Sequence, residues 1–151
     1  MDDWLIDERT MKSLVETLHE GNHSLVIAKD EILKFDGRGV SDLFRLLHET
    51  PDVLEGSLLA DKIVGKGAAA LMALGKVKEV YADIISEPAL KVLEQEGIRT
   101  TYGKLVTHII NRAGTGMCPV ETRSLPCKTP AECLQQIKAF LEEMKEKKQK
   151  G

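Results

Sequence analysis

The sequence has no apolar run that approaches the roughly 20 residues needed to span a bilayer, so no transmembrane helix is expected. It has no surplus of basic charge either. The 21 Lys and Arg stand against 24 Asp and Glu, a formal net charge of −3. No overall positive field therefore draws it to nucleic acid. Cysteine is scarce: there are three, an odd number, which fits a reducing compartment better than a disulfide framework. Metal patterns are missing. His19, His23, His48 and His108 are scattered, none in a His-x-Glu or His-Glu-x-x-His pattern, and Cys127 and Cys133 are not a Cys-x-x-Cys pair. No metal site and no cofactor are expected. The opening residues MDDWLIDE are acidic where a signal peptide is basic. The expected location is the cytoplasm, with no membrane partner.

What is present reads as one globular domain over residues 1–151, with a helical extension at 1–21 and a basic tail at 145–151. The tail reads as a solvated helix end, because Glu142, Glu143 and Glu146 sit among its lysines. The organising stretch is Leu58 to Gly75. It reads as a buried strand, a glycine-marked turn and a small-residue helix. Val77 to Gly97 repeats the rhythm, with a turn at Ser86-Glu87-Pro88. Two such units in tandem predict a parallel strand pair with helices packed on the sheet.

Around this pair, Met11, Leu14, Val15 and Leu18 predict an amphipathic helix over Asp7–Glu20, stopped at Gly21-Asn22. His23 to Lys34 predicts a hairpin closed by Asp36-Gly37-Arg38-Gly39, and Ser41 an N-cap for a helix to Glu49. Ile98 to Val106 holds one or two short strands, with a bend at Tyr102-Gly103. Asn111 to Pro126 has no periodicity and reads as a long loop or flap. Thr129-Pro130-Ala131-Glu132 is a capping box opening a last helix with Cys133, Leu134, Ile137, Phe140, Leu141 and Met144 on one stripe.

Three groups of residues could carry chemistry. Val64-Gly65-Lys66-Gly67-Ala68 lies where a strand opens into a helix, so free backbone N–H groups, with Lys66 and Lys62, suit an anion. Tight strand–helix packing explains the same glycines. The stretch is neither a Walker loop nor a dinucleotide fingerprint. Cys118, in GTGMCPVE, is a candidate nucleophile with Glu121 as its base, and an inert thiol is the alternative. Asp61, near the carboxyl end of its strand, is a second candidate base. Arg38, Asn111 and Arg112 flank glycine-containing loops and could clamp an anion. Cys133 belongs to the core, and Cys127 reads as incidental.

DGRG at Asp36–Gly39, ADKIVGKGAA at Ala60–Ala69, VYADIISEPAL at Val80–Leu90 and NRAGTGMCPVE at Asn111–Glu121 together resemble the prokaryotic domain of unknown function eighteen-ninety-three. The resemblance runs from about Leu25 to Phe140. It implies a cytidine-deaminase-like fold, a three-layer α-β-α domain around a mixed five-stranded sheet. Zinc deaminases carry a His-x-Glu or Cys-x-Glu at one helix start and a Pro-Cys-x-x-Cys at the next. Here those positions are Val64-Gly65-Lys66-Gly67 and Ser86-Glu87-Pro88-Ala89. The resemblance thus implies the scaffold without zinc-dependent deamination.

The expected function is binding of a small anionic, phosphorylated or nucleotide-like ligand over Lys62, Gly65, Lys66 and Gly67, with Arg38, Arg112 and the loop 114–121 as a lid. Two alternatives are a metal-independent enzyme using Cys118 or Asp61, and an interaction module whose 1–21 segment docks a second copy as a homodimer.

Overall fold

A computed structural model describes residues 3–37, 40–111 and 113–150, with side chains from Glu8 to Lys148 outside the gaps. In chain order the elements are α1 (Asp3–Glu20), β1 (Leu25–Ala28), β2 (Ile32–Phe35), α2 (Ser41–Glu49), β3 (Leu58–Val64), α3 (Lys66–Leu74), β4 (Glu79–Ser86), α4 (Glu87–Gln95), β5 (Arg99–Val106), α5 (Pro119–Ser124) and α6 (Pro130–Lys150). A 3-10 turn, Pro51–Val53, comes after α2.

The five strands form one mixed sheet in the order β2-β1-β3-β4-β5. β1 runs antiparallel to both β2 and β3, while β3, β4 and β5 are parallel. The parallel half results from the two strand–helix units: α3 and α4 are the crossovers that parallel neighbours require. Helices lie on both faces. Met11, Leu14 and Leu18 of α1 pack on Val26, Ala28, Leu58 and Ala60. The larger core joins Leu25, Ile27, Leu59, Val80 and Ala82 of the sheet to α2, α3, α4 and Ile137 of α6. Strand alternation therefore sorts β3 between two cores: Leu58 and Ala60 to α1, Leu59 to the other side.

Several boundaries differ from expectation for physical reasons. All four residues of β1 are buried, because helices cover both faces of this inner strand. The predicted loop 111–126 is built: Ile110 and Met117 form a β-bridge, Asn111 N donates to Gly116 O at 2.8 Å, and α5 comes next. Asn111 also shapes this turn with its side chain, accepting from Thr115 N at 3.1 Å. Such side-chain turns leave no apolar periodicity to read. β5 is one continuous strand through Tyr102-Gly103, the first of the two expected alternatives. In the final capping box, Thr129 Oγ1 accepts from Glu132 N at 3.2 Å, and Glu132 reaches Lys128 N at 2.6 Å, one residue beyond the usual partner. α6 runs on to Lys150, so the basic tail is helical backbone.

Candidate functional site

The three parallel strands end side by side, and the segments leaving those ends converge on one carboxylate. β3 leads through Gly65 to the first residue of α3, β4 ends at Ser86, and the chain after β5 passes Ile109. Glu121 of α5 points into this junction and is 1% exposed. Its Oε1 accepts from Lys66 N at 2.7 Å and from Ser86 Oγ at 3.2 Å. Its Oε2 accepts from Ile109 N at 2.7 Å. Ser86 in turn caps α4, accepting from Ala89 N at 3.3 Å. A side chain on Gly65 would crowd this carboxylate, since a Cβ there would lie 3.4 Å from Glu121 Oε1 and 3.2 Å from Ile109 Cγ1.

The junction is therefore a cradle of three donors, two backbone N–H groups and a hydroxyl, filled by the chain's own carboxyl group. A helix N-terminus presents unpaired N–H groups and the positive end of its dipole. Glu121 meets that demand at α3 and reaches α4 through Ser86.

Of the residues expected from the sequence, Gly65, Lys66 and Glu121 converge here, and Gly67 lies one residue further on. Their roles differ from expectation. Lys66 contributes its backbone N–H, whereas its ammonium turns to the α5–α6 link and donates to Leu125 O at 2.8 Å and Cys127 O at 2.6 Å. Gly67 is a packing residue: a Cβ there would lie 2.6 Å from Val120 Cγ1 and 3.0 Å from Ser124 Oγ. Glu121 is not placed as a base for Cys118, because three donors occupy its oxygens. Cys118 is the half-buried N-cap of α5, its N–H donating to Ile109 O at 2.8 Å.

Lys62 does not join the cradle. Its ammonium donates to Asn22 Oδ1 at 2.7 Å, at the end of α1. Asp61 is also apart from this junction, with Ile63 N donating to its carboxyl at 3.3 Å. Burial pushes its pKa up to about 8, helped by the negative charges of Asp83 and Asp42 and opposed by the N–H groups of Ile63 and Lys62. At neutral pH it holds its proton. Arg38 and Arg112 lie outside the described residues.

A second polar cluster escaped the sequence reading. Asp83 Oδ1 accepts from Tyr81 OH at 2.8 Å and lies 2.6 Å from His19 Nε2. Burial and the Asp83 carboxylate raise the Tyr81 pKa to about 12. An aspartate inside the apolar strand sequence VYADII was the available signal, but its histidine partner is 64 positions away.

Comparison with known proteins agrees with the resemblance carried by these segments. The family description "Domain of unknown function (DUF1893)" matches residues 13–141. The chain belongs to the DUF1893 family. It is also similar to the crystal structure of a DUF1893 family protein from Thermotoga maritima, with 26% identity, a TM-score of 0.80, and coverage of 93% of this chain and 92% of that one. No curated protein matches. The matched span includes the whole cradle of this DUF1893 protein, from Gly65 through Ser86 and Ile109 to Glu121.

Proposed function

We propose that this DUF1893 protein binds a small phosphorylated or nucleotide-like anion at the carboxyl ends of β3, β4 and β5, in the place that Glu121 occupies. The reading rests on one observation: a buried carboxylate held by Lys66 N, Ile109 N and Ser86 Oγ. Phosphate oxygens accept from the same donors, and open α/β sheets bind ligands at this edge. The ligand would displace Glu121 together with α5 and the 110–117 turn, which act as the lid. A tethered carboxylate competes at an effective concentration set by its tether, so the apparent affinity of the intact protein is lowered.

We take the scaffold as deaminase-like, with α3 and α4 beginning where zinc deaminases hold their ligands. The donors here do not suit a cation. Two N–H groups and a hydroxyl hydrogen point into the junction, and among the described residues Glu121 supplies the only carboxylate bonded there. Zinc requires lone pairs from Cys, His, Asp or Glu. This arrangement supports no deamination step.

Thermal unfolding of wild type and Glu121→Ala, with inorganic phosphate, nucleoside phosphates and sugar phosphates, tests the reading. Glu121→Ala strands three donors and should cost at least about 3 kcal/mol, since each buried unsatisfied group costs about 1–3 kcal/mol. A fitting anion should restore stability saturably, by about 2.7 kcal/mol at 100 times its dissociation constant, and shift the variant more than wild type. Glu121→Gln, which keeps one oxygen, serves if the alanine variant does not fold. A folded variant that no anion stabilises would reduce the cradle to a structural tie.

A further inference from the structure

Cys127 and Cys133 are six positions apart, form no known motif, and are brought together by the α5–α6 link. Cys127 Sγ donates to Arg123 O at 3.5 Å, and Cys133 Sγ to Ser124 O at 3.9 Å. The acceptors are consecutive carbonyls at the end of α5, and Cys127 N donates at 3.0 Å to the same Ser124 O that the Cys133 thiol approaches. The link is held on both sides of Pro126, because Lys66 clamps the carbonyls of Leu125 and Cys127. The two thiols differ in access. Cys127 is half-buried and lines an open surface groove with Arg123, Pro126, Glu132, Gln135 and Gln136. Cys133 is 1% exposed and sits behind it.

We propose that Cys127 and Cys133 are a dithiol oxidation site, at which a hydroperoxide oxidises the accessible Cys127 and the buried Cys133 resolves it to an intramolecular disulfide. This is independent of the anion reading. In the first step the Cys127 sulfur attacks the peroxide. The O–O bond breaks, Cys127 becomes a sulfenic acid, and the second oxygen leaves as water or, from an organic hydroperoxide, as the alcohol. In the second step the Cys133 sulfur attacks the Cys127 sulfur. The S–S bond forms, the S–OH bond breaks, and hydroxide leaves with the Cys133 proton as water. The two sulfurs together lose two electrons and the peroxide gains them.

The asymmetry sets the order. Cys133 is shielded from a peroxide in solution, and burial and the neighbouring Cys127 push its pKa up to about 11. Cys127 opens onto the groove, whose Arg123 pairs with Glu143 and lies over the Phe140 ring, so access sets which thiol meets the peroxide. A disulfide needs the two Cα atoms within about 4.4–6.8 Å, and the shared Ser124 carbonyl holds both residues against the end of α5.

The test treats the purified full chain with graded hydrogen peroxide, blocks free thiols with N-ethylmaleimide, and maps peptides by mass spectrometry. The expected product is a Cys127–Cys133 disulfide that dithiothreitol reverses, with Cys118 still alkylated. Cys133→Ser should leave a Cys127 sulfenic acid that dimedone traps, and Cys127→Ser should leave Cys133 reduced. Preferential oxidation of Cys118, a disulfide involving Cys118, or a wild-type Cys127 that proceeds to sulfinic acid while Cys133 stays free would overturn the proposal. The wild-type product distribution decides even if a variant fails to fold.

Discussion

Asp61 shows how position sets the chemistry of a residue. Its carboxyl is 9% exposed, and Ile63 N donates to it at 3.3 Å. The ordinary carboxylate pKa of 3.8 rises to about 8 in the fold. Between these two values the native protein keeps a proton that the unfolded chain has lost. The contribution of Asp61 to stability is therefore complete below about pH 4 and is lost as pH rises through about 8. Asp61→Asn keeps the shape of the protonated form and removes the titration. Thermal melts across this range should show little difference at pH 4 and a variant several degrees more stable at pH 8, the scale of a shift of about 1–2 kcal/mol in a domain of this size. Parallel melting profiles at all pH values would show that Asp61 ionises freely in the fold.

At the scale of elements, α3 decides where everything else sits. Gly67, Ala68, Ala69, Ala70, Leu71 and Met72 are all buried, which fits a helix covered by the sheet on one side and by α5 and α6 on the other. Small residues at its start let α5 approach closely enough for Glu121 to reach Lys66 N. Gly67→Ala should therefore destabilise despite the higher helix propensity of alanine. Its methyl would meet Val120, Ser124 and Ile137, and overpacking typically costs about 1–3 kcal/mol; chemical denaturation measures it. A gain in stability would mean that α5 is held loosely. The glycines were legible as packing residues, and the fold bears that reading out: Gly65 is crowded by Ile109 and Glu121, and Gly67 packs against α5. The direction of the Lys66 side chain was not legible, because its acceptors lie 59 and 61 residues away.

For the molecule as a whole, coverage of the sheet is uneven. α1 packs on β1 and β3 but leaves the β5 side of its face open. Every residue from Thr101 to Leu105 is exposed, and β5 pairs only with β4 among the described strands. Outward amides of β5 should exchange with deuterium much faster than those of β3 and β4, as measured by hydrogen-exchange mass spectrometry. Protection of β5 that grows with protein concentration would contradict this and report a strand from a second copy, the pairing that open edges invite. Docking of a second copy by segment 1–21 is not how its described apolar residues are used. Met11, Leu14 and Leu18 are buried against the chain's own sheet.

The sequence by itself determined the strand–helix units, their parallel pairing, and the capped start of α6. Each of these depends on residues within a few positions of one another, or on a period that the chain displays directly. It also singled out Gly65, Lys66 and Glu121, which the fold brings together. Only the tertiary structure decided that Glu121 fills the junction at the strand ends, that Lys66 serves it through the backbone, that burial raises the Asp61 pKa, and that Cys127 and Cys133 both reach the end of α5. These outcomes depend on which groups lose water together when distant segments pack, and local patterns do not encode that.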